Sequence, residues 1–362
     1  MSFITAIGTA VPENCFPQMQ IAEFMATALQ MNDYDQRRLK ALYKTTKINQ
    51  RHSVLSDYGK TYSDYQFFPQ SLDLEPFPSI SRRMEAYRNY ALPLCLKAIE
   101  NLHQPIHKKG ITHLITVSCT GMYAPGLDIE IIASLGLDTT IQRTAINFMG
   151  CYGAFNGLKM ADTICKANPQ AKVLVVCVEL CTLHFQKKLE EDFLLSNALF
   201  ADGAAAVLVE SDKTEKSLEL RSFFCDLYFE GKQDMAWQVA DFGFEMTLTS
   251  YIPKLVKSGI KSLIDRLLAQ TGIAQNDLSL YAMHPGGKAI LEAIESALGI
   301  TKDDNQYAYQ ILSNYGNMSS CTVLFVLNEI LKNTTEKDNG KNILSCAFGP
   351  GLTLESMILR LA

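Results

Sequence analysis

Asn147-Phe148-Met149-Gly150-Cys151-Tyr152-Gly153-Ala154-Phe155-Asn156-Gly157 is the stretch on which the reading of this chain turns. An apolar, β-branched run ends there, a small residue turns the chain, and a thiol opens the next helix. A thiol at a helix N-terminus faces unpaired backbone N–H groups and the positive end of the helix dipole. Both favour thiolate over thiol, which predicts a nucleophile near neutral pH. Gly150 and Gly153 have no side chain, so a substrate has room to approach the sulfur. For any one of the ten cysteines a buried core thiol is the better reading. Two motifs downstream reverse that preference for Cys151.

The first is Tyr281-Ala282-Met283-His284-Pro285-Gly286-Gly287-Lys288-Ala289-Ile290, a short apolar strand that delivers a histidine into a Pro-Gly-Gly turn before a helix. The second is Ser313-Asn314-Tyr315-Gly316-Asn317-Met318-Ser319-Ser320-Cys321, where an asparagine follows a glycine and opens an apolar helix. The pattern places Cys151, His284 and Asn317 each at a strand-to-helix turn. Alone, His284 reads as a structural histidine and Asn317 as a helix N-cap. The same placement three times over points to one site.

At 362 residues the chain is one large domain or two similar ones, with enough length for a sizeable core. A net charge of −5 gives no basic field to attract nucleic acid. No apolar run approaches the roughly 20 residues of a membrane span. The start, Met-Ser-Phe-Ile-Thr-Ala-Ile-Gly, lacks a signal-peptide pattern. The cysteines are scattered, without paired zinc-type spacing. The expectation is therefore a cytoplasmic protein with free thiols, no metal and no membrane span.

Strand-like and helix-period segments alternate, which argues for an α/β fold. Expected strands are 3–9, 113–118, 144–148, 173–178, 204–210, 218–228, 280–284, 342–348 and 353–361. Long helices are expected over 84–101, 152–166, 252–270 and 321–332. The charged stretch Ser211-Asp212-Lys213-Thr214-Glu215-Lys216 marks a boundary between residues 1–212, which carry the cysteine, and 213–362, which carry the histidine and asparagine.

These motifs resemble those of type III polyketide synthases, the chalcone-synthase-like branch of the thiolase superfamily. The resemblance rests on Gly150-Cys151, Val173 to Glu179, Ala198-Leu199-Phe200-Ala201-Asp202-Gly203-Ala204-Ala205, His284-Pro285-Gly286-Gly287, Gly316-Asn317-Met318-Ser319-Ser320 and Phe348-Gly349-Pro350-Gly351-Leu352-Thr353. They run in family order over nearly the whole chain. The resemblance implies the thiolase-like fold, a five-layered αβαβα arrangement of two pseudo-repeated halves, and a homodimer. It also implies loading of an acyl group from coenzyme A onto Cys151. Decarboxylative condensation with malonyl-coenzyme A and closure to a pyrone, resorcinol or related aromatic would follow.

The residue chemistry suits those roles. A cysteine exchanges thioesters readily, and His284 paired with it would hold the thiolate. His284 and Asn317 can donate together to a thioester carbonyl, which stabilises the enolate left when carbon dioxide departs. No metal or redox cofactor is required; coenzyme A thioesters enter as substrates.

By the resemblance Phe200 is a gatekeeper between a coenzyme A tunnel and the cavity, with Met246 as its partner, or Phe244 nearby. Cys119, Cys181, His184, Ser196, Ser319 and Pro350 fall at cavity positions, and Ala124 where a methionine often crosses a dimer. Arg37, Lys40 and Lys44 lie at i, i+3 and i+7, so one helical face carries all three. That spacing fits a solvated face equally well; the resemblance assigns it, with Ala289, to coenzyme A. Cys119, Cys181, His184, Ser196 and Ala124 depart from the plant pattern and look like bacterial members, which leaves starter and product open. The alternative is an initiating 3-oxoacyl-carrier-protein synthase of fatty acid synthesis, which shares Cys, His and Asn but not the His-Pro-Gly-Gly and Gly-Pro-Gly segments.

Overall fold

The computed structural model describes residues 1–103 and 110–362. The chain opens with β1 (Phe3–Ala10), β2 (Asn14–Pro17), α1 (Gln18–Ala28), α2 (Asp33–Thr45), β3 (Gln50–Ser53) and α3 (Ile80–Glu100). Next come β4 (His113–Ser118), α4 (Leu127–Leu135), β5 (Gln142–Asn147), α5 (Gly153–Ala167), β6 (Val173–Leu180), α6 (Glu191–Leu199) and β7 (Asp202–Glu210). The second half runs β8 (Leu218–Leu227), β9 (Met235–Ala240), β10 (Gly243–Leu248), α7 (Ile252–Thr271), β11 (Leu278–Met283) and α8 (Lys288–Leu298). It closes with α9 (Gln306–Tyr315), α10 (Thr322–Asn333), β12 (Asn342–Gly349) and β13 (Thr353–Leu361).

Nine strands form one sheet in the order β11-β12-β13-β8-β1-β7-β6-β4-β5. The order divides into two copies of one pattern. In the first, β4 runs parallel to β6, and β6 and β1 flank β7 antiparallel. In the second, β11 runs parallel to β12, and β12 and β8 flank β13 antiparallel. Across the seam Phe3 pairs with Glu219 and Ile4 with Leu218, and Leu220 N–H donates to the Ser2 carbonyl at 2.9 Å.

Side chains alternate across each strand, so every strand feeds two cores. In β6, Leu174, Val176 and Val178 face α1, α3 and α4, while Val173, Val175 and Cys177 face α5 and α10. In β12, Ile343 and Ala347 share that same central core, while Leu344, Cys346 and Phe348 face α7 and α8. The result is five layers: helices, half-sheet, α5 with α10, half-sheet, helices. This is the thiolase-like architecture.

Being central, α10 is apolar nearly all round, with Val323, Leu324, Val326 and Leu327 fully buried. Each such leucine contributes about 1.5–3 kcal/mol by burial. α5 approaches its sheet closely at Gly157, where a Cβ would lie 2.9 Å from Val175. α5 and α10 are thus seated side by side, and their N-terminal approaches carry Cys151 and Asn317.

The expected strands and long helices are all present, with ends shifted by a few residues at most. One expectation fails. Asn317 does not follow a strand: it sits in the turn between α9 and α10, and its backbone forms an isolated bridge with Phe200. The polar, helical sequence of α9 places a helix where the recurring turn pattern suggested a strand. The pairs β2–β3 and β9–β10 were not anticipated; both form two-stranded sheets apart from the main one. No helix among the described residues is long and apolar enough to cross a membrane.

Candidate active site

Cys151 lies in a tight turn, Gly150–Tyr152, immediately before α5. Its Sγ is 4.0 Å from both amide atoms of Asn317, the long limit for a sulfur contact. The amide is oriented by its neighbours. Oδ1 accepts from the backbone N–H of Ser319 at 2.8 Å, and Nδ2 donates to the Gly286 carbonyl at 3.2 Å. That assignment follows from the network and leaves the second Nδ2–H for the Cys151 sulfur, at the long distance of 4.0 Å. Ser319 itself has φ +48°, a left-handed conformation uncommon for serine, beside the sulfur.

His284 follows directly on β11, its backbone N–H donating to the Cys346 carbonyl of β12 at 2.8 Å. Its imidazole is almost wholly buried, and neither ring nitrogen has a hydrogen-bond partner. The ring packs 3.6 Å from where a Gly286 Cβ would sit. Gly286 therefore meets both donors: the His284 ring beside its α-carbon and the Asn317 amide on its carbonyl. A buried polar ring with both nitrogens unsatisfied is destabilising unless something occupies it.

The expected thiolate is not the resting form. Burial pushes the Cys151 thiol up to about 12, while hydrogen bonds from Ser319 and Asn317 pull it down. Buried Glu179 adds a further upward push. Burial alone holds His284 down at about 3. Desolvation outweighs the helix terminus, so thiol and imidazole are both neutral. No direct hydrogen bond joins them among the described residues.

Glu179 lies behind the cavity, accepting from the Cys119 N–H, the Thr120 hydroxyl and the Ser320 hydroxyl at 2.9, 2.9 and 2.5 Å. Burial raises its carboxyl to about 7 despite those three bonds. It braces the turns that carry Cys119 and Ser320.

Models of the chalcone and stilbene synthase N-terminal and C-terminal domains match residues 1–213 and 219–362. The chain belongs to the chalcone and stilbene synthase family. It is 29% identical, over 99% of its length, to probable polyketide synthase 1 of Dictyostelium discoideum, of which it spans only 11%. It is 28% identical to the α-pyrone synthesis polyketide synthase-like Pks18 of Mycobacterium tuberculosis, covering 99% of this chain and 91% of that one. Its fold superposes with a TM-score of 0.89, at 28% identity and 99% coverage of both chains, on the C-terminal type III polyketide synthase domain of Steely1 from Dictyostelium. As a member of the family the chain is a condensing enzyme.

Around Cys151 the cavity walls include Cys119, Cys181, Phe200, Met246, Ser319 and Pro350. The structure thus brings six of the eight expected cavity residues to the thiol. His184 and Ser196 line a neighbouring chamber instead. Burial holds the His184 ring down at about 3, and both nitrogens are used: Nε2 bonds the Thr120 carbonyl and Nδ1 accepts from the Phe244 N–H. Of the two gatekeeper candidates, Met246 reaches the Cys151 cavity, whereas Phe244 stacks on His184 at 4.3 Å in the chamber. Ala124 sits on an exposed loop.

A separate surface crevice of about 680 Å³, counted out to its mouth, is lined by Thr45, Leu199, Pro253, Gly286, Gly287 and Ala289, among others. Gly286, whose carbonyl holds Asn317, is one of its walls. Arg37 and Lys44 lie on α2, which ends beside this mouth at Thr45. Lys40, on the same helix, pairs through its Nζ with Glu23 of α1 at 3.1 Å.

Trp237, the only tryptophan, was missed by the sequence reading. It stands on β9 opposite Met246 and donates from Nε1 to the Cys119 carbonyl at 2.7 Å. The alternation of Met235-Ala236-Trp237-Gln238-Val239 was the available signal for this strand.

Proposed function

We propose that the chain is a type III polyketide synthase that carries its acyl chain on Cys151 and extends it with malonyl-coenzyme A. The observation that supports this most is the pairing state of His284: two unsatisfied ring nitrogens, in a buried site where the Asn317 amide holds the buried Cys151 thiol only at a long 4.0 Å. The crevice lined by Gly286 suits the pantetheine arm of coenzyme A, with Arg37 and Lys44 of α2, the helix that reaches the crevice at Thr45, for the phosphates.

Loading begins when His284 takes the Cys151 proton as the sulfur attacks the starter thioester. A new C–S bond forms, the bond to coenzyme A breaks, and the imidazolium returns the proton to the leaving thiolate. Malonyl-coenzyme A then enters. Its carboxylate leaves as carbon dioxide, and the electron pair moves onto the thioester oxygen. His284 and Asn317 donate to that oxygen, each donor being worth about 2.7–4 kcal/mol in comparable sites. The enolate carbon attacks the Cys151 thioester, a C–C bond forms and the sulfur leaves. A hydrolase triad would want a third group to orient its histidine; neither ring nitrogen of His284 has such a partner among the described residues.

Incubation of the protein with malonyl-coenzyme A and a panel of acyl-coenzyme A starters tests this. The expected results are acyl mass on Cys151 and released products with two or more extensions. A single extension only would favour the fatty-acid-initiating reading, and no acylation of Cys151 would end both.

A further inference from the structure

Arg51, on β3, is a guanidinium with only 3% of its surface exposed. Among the described residues no carboxylate comes within ion-pair distance of it. Asp202, the buried acid whose charge it feels, is occupied by the N–H and hydroxyl of Thr182 and by the Val54 N–H. A cation buried without a carboxylate opposes folding. Arg51 makes no hydrogen bond to Cys151, His284 or Asn317, so its charge needs another explanation.

Its donors go to the segment behind Asn317. Nε donates to Oε1 of buried Gln18 at 2.8 Å and Nη1 to the Phe200 carbonyl at 2.5 Å, while the guanidinium lies over the Tyr43 ring, 5.8 Å from its centroid. Gln18 completes the frame: its Nε2 donates to the Ala198 carbonyl at 2.7 Å and to the Thr46 hydroxyl at 3.3 Å. Phe200 has φ −80° and ψ 144°, so the chain is extended where it leaves α6. Its bonds go to opposite sides, as in any strand. The Leu199 carbonyl and the Ala201 N–H face the backbone of Asn317, and the Phe200 carbonyl faces Arg51. Arg51 therefore pins, from behind, the segment whose front edge holds Asn317. Its stem also runs beside Gly316, where a Cβ would lie 2.9 Å from both Cγ and Cδ of Arg51. A planar fork can serve Gln18 and Phe200 together; the point charge of a lysine cannot.

We propose that Arg51 is a positioning residue for malonyl decarboxylation, acting through the Phe200 carbonyl to keep the Asn317 amide where the thioester oxygen becomes charged. This rests on the reading of Asn317 as a donor to that oxygen. Such a donor works only when it is aimed at the place where charge develops, and a misplacement of about 1 Å costs about a hundredfold in rate. Acylation of Cys151 depends on the thiol and His284, which stand at the start of α5 and the end of β11. The two reactions should therefore separate when Arg51 is lost.

The test compares malonyl-coenzyme A decarboxylation with acylation of Cys151 by acetyl-coenzyme A, each per folded molecule. Arg51→Met keeps an apolar stem and removes the donors. Its decarboxylation kcat should fall about tenfold to a hundredfold. KM for malonyl-coenzyme A and the acylation rate should stay within about twofold of wild type. Arg51→Met leaves two buried acceptors unpaired, so Arg51→Lys carries the test if it does not fold. Arg51→Lys keeps the charge but not the fork, and its decarboxylation should fall about threefold or more with the same sparing of acylation. Made in Asn317→Ala, either substitution should cost nothing further, because the amide it positions is already gone. Losses that multiply, equal loss of both reactions, or no loss in a folded variant would each overturn the role of Arg51. Undiminished decarboxylation in Asn317→Ala itself would reject the donor reading and, with it, this role.

Discussion

Phe200 and Asn317 are joined through their backbones: Asn317 N–H donates to the Leu199 carbonyl at 2.9 Å, and Ala201 N–H donates to the Asn317 carbonyl at 2.8 Å. The Phe200 carbonyl in turn accepts from Nη1 of buried Arg51 at 2.5 Å. The cavity wall and the amide donor therefore belong to one rigid unit, although Asn317 lies 166 residues from Cys151 in sequence.

Gly316 tests that unit. It has φ +72° and ψ −162°, a conformation nearly closed to other residues. A Cβ there would meet Arg51 carbons at 2.9 Å and the Leu199 carbonyl at 3.0 Å. Gly316→Ala should lower stability by about 1–3 kcal/mol. In the remaining folded protein, malonyl decarboxylation should fall more than alkylation of Cys151 does. Denaturant titration and the two rates check this; unchanged decarboxylation would mean that Asn317 tolerates displacement.

Asn317→Ala removes the amide donor while leaving thiol and imidazole in place. Decarboxylation of malonyl-coenzyme A should drop about 10²–10³-fold. Acylation of Cys151 by a labelled starter should persist. The reverse pattern would exchange the roles assigned to the two steps.

The raised Cys151 thiol predicts the pH dependence of its reactivity. With a thiol held at about 12, the thiolate fraction grows about tenfold per pH unit throughout the neutral and mildly alkaline range. Alkylation of the resting enzyme should show that slope from about pH 7 to 10. A plateau beginning near about pH 6 would reveal a preformed thiolate–imidazolium pair, contrary to the neutral site described here.

Acid stability follows from four buried groups. His184 and His284 are lowered to about 3, so below about pH 6.5 the unfolded chain binds protons that the fold refuses, and stability falls as pH falls. Glu179 and Asp202 are raised to about 7 and about 6, so between those values and about pH 4 the fold holds protons that the unfolded chain releases. Their effect has the opposite sign. The two nearly cancel from about pH 6 to 4.5, and only the histidine loss remains below about pH 4. Melting temperatures across that range should be flat and then drop steeply, and His184→Gln should soften the drop.

Neutralising Arg37 and Lys44 together should raise KM for coenzyme A esters several-fold with little change in kcat, because phosphate contacts are the same in ground and transition states. Neutralising Lys40 alone should change KM less, since its ammonium is paired with Glu23. A KM unaffected by the double variant would return this face to ordinary solvated surface.

The nine main strands and the central helices were legible in the sequence because most are buried on two sides, so the apolar run is unbroken over several residues, as in Val173 to Val178 and Val323 to Leu327. The identities of Cys151, His284 and Asn317 were legible because each is flanked by glycine or proline at a sharp turn. Their electrostatic state was not. Local sequence shows a helix terminus next to the thiol, but burial is set by the whole fold, and it left both thiol and imidazole neutral. Lys40 and Trp237 make the same point. The cation spacing along α2 says nothing of Glu23 on α1, and the short β9–β10 hairpin gives too weak a period to reveal that its tryptophan reaches Cys119. Sequence by itself determined which elements form and which side chains stand at their ends. Only the tertiary structure decided which charges are paired, which polar walls are already satisfied, and how little space is left beside the sulfur, because those quantities depend on neighbours brought from far along the chain.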